Sequence, residues 1–290
     1  IGKLMDFLVI LMTLGLVQVW GSGGPVQRDH WFEQFAARLS SLVTQPAILL
    51  ILLVGLPSLL VMLLCWWLEP LAYGLLSLLL VIIVLLYSLG RGDFSNSVQA
   101  YLTSWNHGDF EAAFEYAGDI GDFRQTNSIN DYVGLHEQMR RTLFYEGLER
   151  WFAVIFWFLL LGPAAALAYR LSFICGRSKA LDAVHKQLAL RMVHYLDWLP
   201  ARLLAFSFNL VGDFVNGFSR WLELLFENSP TVELLDSCGC AALKNDLAEY
   251  PAEREEFISF GNAQLLATQS LVSRSVFAWL IVIVLLEITI

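Results

Sequence analysis

The chain has few charged residues and no dense run of positive charge. Only 16% of its 290 residues are charged, and the formal net charge is −9. An average soluble domain carries about a quarter charged residues. Nucleic-acid binding needs a concentrated basic face, which this sequence lacks. We therefore expect no nucleic-acid partner.

The usual motifs of cofactor and metal sites are also missing. The five histidines form neither an H-x-x-x-H nor an H-E-x-x-H pattern. There is no glycine-rich phosphate-binding motif and no G-x-S-x-G nucleophile elbow. The C-x-C of Cys238-Gly239-Cys240 has no second pair and no nearby histidine, so it is a weak metal or redox signal. We predict no cofactor and no metal.

Long hydrophobic runs are what the sequence has instead. Residues 46–68 and 71–89 are runs of 23 and 19 residues without a charge, separated only by Glu69-Pro70. As a helix, each run would span roughly 30 Å, which is the thickness of a bilayer's hydrocarbon core. These runs predict an integral membrane protein whose main partner is the lipid bilayer.

The predicted fold is all-α, a polytopic α-helical membrane protein with about four to six membrane helices and amphipathic helical inserts. We expect one membrane domain over residues 1–290. No small-x-small cleavage site follows residues 5–20, which favours a retained first span over a signal peptide. The predicted spans are 5–20, 46–68, 71–89, 151–169, 196–218 and 272–290, and the polar helical inserts are 90–150 and 219–271.

The orientation of the chain follows from one basic connection. Residues 170–191 contain five Lys and Arg against a single acid, Asp182, so the positive-inside rule places them in the cytoplasm. Gly162-Pro163 favours a kink or a break into two half-helices. If 151–169 crosses the membrane, the insert 90–150 faces the other side. If Gly162-Pro163 marks a re-entrant hairpin, both segments face the cytoplasm.

Polar residues recur along the apolar stretch 196–220. Arg202, Asn209, Asp213, Asn216 and Arg220 are spaced by 7, 4, 3 and 4 residues. On a single helix they would lie within roughly 60° of one face. Either the helix lies flat at the interface with this stripe in water, or it stands in the bundle with the stripe facing an internal site. The second arrangement makes Arg202, Asn209 and Asp213 candidate binding residues.

Two stretches resemble a known family. The run Phe-Trp-Phe-Leu-Leu-Leu-Gly-Pro-Ala-Ala-Ala-Leu-Ala-Tyr-Arg of 156–170 and the Leu-Asp-Trp-Leu-Pro-Ala-Arg-Leu of 196–203 are similar to the AmpE family of bacterial inner-membrane proteins. The Gly-Asp-Phe-Glu-Ala-Ala of 108–113 fits as well. The resemblance implies a multi-pass protein of a proteobacterial inner (cytoplasmic) membrane. It also implies an accessory, regulatory role in β-lactamase induction, cell-wall recycling signalling and the antibiotic response, with a protein partner in cell-wall recycling.

The same motifs are distantly similar to the membrane-bound cobalamin-biosynthesis family CbiB/CobD, which forms an amide between an aminopropanol unit and the corrin side chain. Of four matching polar positions, only Glu149 keeps the expected carboxylate, while Arg141, Tyr145 and Glu146 depart. The sequence therefore favours regulation over catalysis. The alternative is a membrane enzyme with an altered site, and a transport component is weaker still. For the enzyme, the candidate catalytic residues are Asp109, Glu149 and Asp197, with Arg170 as a phosphate or carboxylate clamp.

Overall fold

The computed structural model describes residues 3–20, 27–70, 74–90, 94–120, 131–227, 229–244 and 250–289. All regular elements in these ranges are helical, which confirms the all-α class. Helices α1 to α7 are Lys3–Trp20, His30–Leu42, Pro46–Leu68, Leu75–Ser88, Phe94–Asn106, Phe110–Ile120 and Tyr132–Gly147, followed by a π-helix at Leu148–Phe152. Helices α8 to α13 are Ala153–Leu161, Pro163–Arg177, Ala183–Val211, Phe214–Leu224, Thr231–Ala242 and Arg254–Thr289.

Two helices in the described ranges are long and apolar enough to cross a bilayer, namely α3 and the Arg254–Val282 part of α13. Phe7–Val17 and Leu75–Ser88 are shorter apolar helices. Much of α3 is exposed, with Leu60 59% and Met62 53% accessible. Such a surface suits lipid better than water. These helices are consistent with the predicted membrane protein.

The chain packs as two compact units. Unit 1 comprises residues 1–92, 149–200 and 284–290, and unit 2 comprises residues 93–148 and 201–283. Unit 1 therefore contains α1 to α4, α8, α9 and the first part of α10. Unit 2 contains α5 to α7, α11, α12, the end of α10 and most of α13.

Unit 1 contains a helical hairpin at the position where a span over 151–169 was predicted. Gly162 has φ +84° and ψ −172°, a backbone region that suits glycine almost alone. Pro163 then begins α9 at a position where a missing N–H is tolerated. Arg170 contacts Glu149, 21 residues earlier. One continuous helix would separate these residues by about 31 Å. The chain therefore reverses at Gly162, and α8 and α9 are two half-helices rather than one span.

This hairpin and the α3–α4 hairpin point the same way. Trp66, Glu69 and Pro163 line one pocket of about 230 Å³, so the two turns lie together at one end of unit 1. At the opposite end, the Gly90 N–H after α4 donates to the carbonyl of Arg150 before α8, at 2.9 Å. The chain thus leaves α4 and enters α8 at the same end.

The connection after α9 lies at that end too. The side chain of Gln27 donates to the carbonyl of Gly90 at 3.1 Å. A few residues later, the carboxylate of Glu33 accepts hydrogen bonds from the Ser178 hydroxyl at 2.7 Å and the Ala180 N–H at 3.2 Å. The short segment 27–33 therefore joins the end of α4 to the basic connection.

In unit 2, helices α5, α6, α7 and α13 pack around an aromatic core. Trp105 is fully buried, and its indole N–H donates to the Ile258 carbonyl of α13 at 3.0 Å. The rings of Trp105 and Phe110 lie 5.0 Å apart, edge to face. The helices of the polar insert therefore share their core with the first part of α13.

The predicted amphipathic helix over 196–218 is divided in the structure. Helix α10 ends at Val211, and Asp213 caps a new helix, α11, by accepting hydrogen bonds from the N–H groups of Val215 and Asn216. The Asp213 N–H donates to the Ala242 carbonyl at 2.7 Å, which fixes the break. The prediction of one polar stripe was wrong, because Arg202 and Asn209 are on α10 while Asn216 and Arg220 are on α11.

Candidate functional site

Arg170 is the centre of a buried polar site in unit 1. Its Nη1 lies 2.5 Å from Oε1 of Glu149, and the two side chains are 2% and 4% exposed. Its Nη2 donates to the Glu149 carbonyl at 3.3 Å, and its Nε donates to the Ser88 carbonyl at 2.6 Å. Ser88 ends α4, so the guanidinium also neutralises the negative C-terminal end of that helix. One side chain thus connects α4, the π-helix and α9.

Glu149 lies on the π-helix Leu148–Phe152. Such wide turns are rare and are frequently found at functional sites. A buried carboxylate costs several kcal/mol unless a charged partner compensates it. Arg170 is that partner. Glu149 was predicted as a catalytic carboxylate and Arg170 as a clamp, and the structure brings the two side chains together.

Asp197 is the other candidate carboxylate of unit 1. It is 1% exposed, and its Oδ1 accepts a hydrogen bond from the Tyr169 hydroxyl at 2.7 Å. Tyr169 and Arg170 are consecutive on α9. Neighbouring residues of one helix therefore contact Asp197 and Glu149, the first through a hydroxyl hydrogen bond and the second through an ion pair.

The remaining candidates belong to unit 2, where Arg202, Asp109 and Asp213 have local partners. Arg202 donates to the carbonyls of Leu225 and Glu227 at 2.7 and 2.9 Å, just after α11 ends. The carbonyls at the end of a helix have no partner within the helix, so a basic side chain can donate hydrogen bonds to them. Asp109 accepts a hydrogen bond from the Ala112 N–H at 3.0 Å and caps the start of α6.

Asp213 has two roles in unit 2. Besides capping α11, its Oδ2 lies 3.2 Å from the ammonium of Lys244. The Asn216 N–H and the Lys244 ammonium hold the pKa of Asp213 below its usual range. The carboxylate is therefore firmly ionised at neutral pH, as a helix cap should be.

Asn209 differs from the other candidates because its side-chain amide has no hydrogen-bond partner among the described residues. It is fully buried on α10. A Cβ at position 217 would approach its Oδ1 to 2.2 Å, so Gly217 of α11 provides the space for this amide. An unpaired buried amide costs about 1–3 kcal/mol.

A buried network around Arg140 in unit 2 was missed by the sequence analysis. Arg140 binds Asp236 with two hydrogen bonds, Nε to Oδ1 at 2.7 Å and Nη2 to Oδ2 at 3.0 Å. Its Nη1 donates to the Tyr250 hydroxyl, and that hydroxyl donates to Glu137, both at 3.1 Å. Arg140 and Asp236 are each 7% exposed. A bidentate pair of this kind gives both strength and fixed geometry.

His136 lies beside this pair and is fully buried. Its Nε2 is 2.5 Å from Oε1 of Gln264, an acceptor, so this nitrogen carries the proton. The Nδ1 atom has no partner among the described residues. Burial lowers the pKa of His136 to about 4, and the nearby Arg140 cation adds to the shift while the Gln264 hydrogen bond opposes it. His136 is therefore neutral at neutral pH.

Comparison with known proteins identifies the family. The family model described as "Regulatory signalling modulator protein AmpE" matches residues 5–289. The chain belongs to the AmpE family. This assignment gives the protein a regulatory role in a membrane. The cobalamin biosynthesis protein CobD of Chromobacterium violaceum is 29% identical over 157 residues, 51% of this chain and 48% of that protein. The chain thus spans about half the length of that curated relative. No solved structure matches.

This AmpE chain did contain a sequence signal for the Arg140 network. His136 and Arg140 are four residues apart on α7 and share the buried face of Leu135, Met139 and Leu143. Polar residues on the apolar face of a helix need partners. Their partners, Asp236 and Gln264, are 96 and 128 residues away, so no local pattern identifies them.

The cysteines of this AmpE protein do not form a metal cluster with His, Asp or Glu in the part of the chain that the structure describes. Cys238 is fully buried, and burial raises the pKa of its thiol to about 12. A thiol with such a pKa is unreactive at neutral pH. Cys238 behaves as a small core residue of α12.

Proposed function

We propose that this protein is an accessory regulator in the bacterial inner membrane, acting in β-lactamase induction and cell-wall recycling signalling through a protein partner. Membership of the AmpE family over residues 5–289 supports the regulatory role. The observation that carries the proposal is that the candidate carboxylates already have structural partners within the chain.

A general base must accept a proton from a substrate at hydrogen-bond distance. Glu149 is instead paired with Arg170, and Asp197 accepts the Tyr169 hydroxyl. Asp109 and Asp213 cap helices. These groups therefore stabilise the fold that a partner would recognise, and this use of carboxylates supports binding rather than catalysis.

The proposal is tested in a strain with an inducible chromosomal β-lactamase. The gene is deleted, and β-lactamase activity is measured with and without a β-lactam inducer. We expect deletion to change induction and the wild-type gene to restore it, with membrane accumulation followed by immunoblot. Unchanged induction after deletion would show that the proposal is wrong.

Conservative variants separate regulation from catalysis in the same assay. Asp109→Asn keeps the helix cap, because asparagine caps as well as aspartate. Asp197→Asn keeps an oxygen that can accept the Tyr169 hydroxyl. A regulator therefore retains its effect with either variant. If the variant proteins accumulate normally but fail to restore induction, a catalytic carboxylate is indicated.

One observation favours a second candidate function, an amide-forming membrane enzyme. The match to the Chromobacterium violaceum cobalamin biosynthesis protein covers 157 residues. A strain that lacks its own CobD protein and needs cobalamin provides the test. The regulatory proposal predicts no growth when this gene is supplied without cobalamin, whereas growth would favour the enzyme.

A further inference from the structure

Helix α11 exposes an apolar surface along its length. Phe214 is 49% exposed, Val215 75% and Leu222 54%, and Phe226, just after the helix, is 85% exposed. At about 100° per residue, Phe214, Phe218, Leu222 and Val215 lie within about 100° of each other. We call these four residues and Phe226 the apolar strip.

The other faces of α11 have different partners. Gly217 and Leu224 are buried, and the Trp221 indole N–H donates to the Arg202 carbonyl at 2.9 Å, so this face holds α11 on unit 2. The opposite face is polar and exposed, and consists of Asn216, Ser219, Arg220 and Glu223. The apolar strip lies between the packed face and the polar face. A helix that lies in the plane of a membrane interface has this arrangement.

A pocket with two cations adjoins the N-terminal end of the strip. It has a volume of about 490 Å³ and is lined by residues 211–214 and 242–244 together with Arg274. Lys244 is paired with Asp213. Arg274 lines the same pocket, and its Nε donates only weakly, to the Ser270 carbonyl of its own helix at 3.3 Å. Two cations and one carboxylate leave the pocket with a net positive charge.

The position of Arg274 on α13 relates this pocket to the bilayer. Before it, the exposed face of α13 is mixed and includes Ser270 and Ser273, whereas beyond it Phe277 and Ile281 on that face are 63% and 61% exposed. Arg274 therefore lies where the exposed face of α13 becomes a lipid-type surface. Basic residues at such a position attract anionic headgroups, and aromatic residues are enriched at the same depth.

We propose that the apolar strip of α11 inserts at the boundary between headgroups and acyl chains, and that the Lys244–Arg274 pocket binds the phosphate of an anionic phospholipid. The charge of the pocket and its continuity with the lipid-type surface of α13 select a lipid surface as the occupant. This inference does not depend on the regulatory role, because its tests use purified protein.

The depth of the strip is measured with spin labels on full-length protein in vesicles of phosphatidylglycerol and phosphatidylethanolamine. Labels are placed by Val215→Cys and Leu222→Cys, with Ser219→Cys on the polar face as the matched control, after Cys65 and Cys240 are replaced by alanine. We expect the strip labels to collide more with oxygen than with a water-soluble nickel complex, and the Ser219→Cys label to do the reverse.

Two outcomes would overturn the insertion of the strip. Equal access of the nickel complex to all three labels would place the strip in water. Labels at 215 and 222 that neither reagent reaches would show that a protein surface, either a second copy or another chain, covers the strip.

The headgroup pocket is tested by titrating the purified protein with phosphatidylglycerol and counting bound lipids by native mass spectrometry. Each basic residue near an anionic lipid surface strengthens the binding of that lipid. Lys244→Gln or Arg274→Gln should therefore weaken the binding of phosphatidylglycerol about fivefold. Lys179→Gln, an exposed cation of unit 1, is the charge-matched control and should have no effect. Binding of phosphatidylglycerol to the double variant at wild-type strength would refute the pocket.

Discussion

At the scale of single residues, Arg170 and Glu149 cannot be replaced independently, because water is almost excluded from both side chains. Arg170→Met leaves an unpaired buried carboxylate, which should lower the free energy of unfolding by about 3–5 kcal/mol. Adding Glu149→Leu removes that charge and should restore most of the free energy of unfolding. The measurement is unfolding of the purified protein in detergent, for both single variants and the double variant.

An exposed ion pair provides the control for this cycle. Arg220 and Glu223 are 48% and 64% exposed and lie 2.9 Å apart. Exposed ion pairs contribute about 0–1 kcal/mol to the free energy of unfolding, so Arg220→Met should lower this free energy only slightly. Equal losses for Arg170→Met and Arg220→Met would contradict the importance that we assign to the buried pair.

His136 should make unit 2 sensitive to acid. Its pKa is about 4 in the fold, against an ordinary value of 6.5. Between these values the unfolded chain binds a proton that the folded chain does not, so stability is present above about pH 6.5 and is lost as the pH falls toward 4. Between pH 7.5 and pH 5, protonation of His136 in the unfolded chain should lower the free energy of unfolding by about 2 kcal/mol. Glu137 and Asp236 oppose the shift, and Arg140 adds to it.

The test compares the unfolding free energy at pH 7.5 and pH 5 in three proteins. The control is His107→Gln, a variant of an exposed histidine outside the buried network, which should lose the same unfolding free energy as the wild type. His136→Gln should be less stable at pH 7.5 but should lose about 2 kcal/mol less on acidification. The same pH dependence in all three would exclude His136 as the cause.

At the scale of secondary-structure elements, the reversal between α8 and α9 depends on Gly162. An L-residue at φ +84° and ψ −172° is strained, so Gly162→Ala should cost about 1–3 kcal/mol although no atom lies within 4 Å of the added Cβ. Gly55 of α3 also has open space but is helical. Gly55→Ala should therefore be neutral or slightly stabilising. Unfolding in detergent compares the two, and equal effects would show that the backbone at 162 is not strained.

The elements also show which parts of the structure a sequence can predict. Helix α3 coincides with the uncharged run 46–68, because a helix pairs the backbone N–H and carbonyl groups of an apolar run within the run itself. The prediction of one helix over 196–218 was wrong at Gly212-Asp213. It gave more weight to the polar periodicity than to a helix-stop glycine followed by an N-cap aspartate, and the structure begins a new helix after these two residues. The buried face of α7 signals that Arg140 and His136 need partners, but the identity of those partners could not be predicted, since they come from α12 and α13.

At the scale of the whole molecule, the direction of the two hairpins constrains membrane topology. The chain leaves α4 at Gly90 and re-enters at Arg150, at the end of unit 1 that also holds the connection after α9. The positive-inside rule assigns that connection to the cytoplasm. The helical insert between Gly90 and Arg150 should therefore begin and end on the cytoplasmic side. The sequence alone left this open, since it depended on whether the chain reverses at Gly162.

Cysteine labelling tests this topology in spheroplasts with a membrane-impermeant maleimide. Lys179→Cys in the basic connection and Glu111→Cys in the insert should react only after the membrane is permeabilised. Glu69→Cys, at the turn of the α3–α4 hairpin, should react without permeabilisation, because α3 has 23 residues and can cross the bilayer. The unsubstituted chain gives the background from its native cysteines. Reaction of Glu111→Cys in intact spheroplasts, with Lys179→Cys still protected, would mean that the chain crosses the membrane between the insert and the basic connection. The reversal at Gly162 would then have to be abandoned as the basis of the topology.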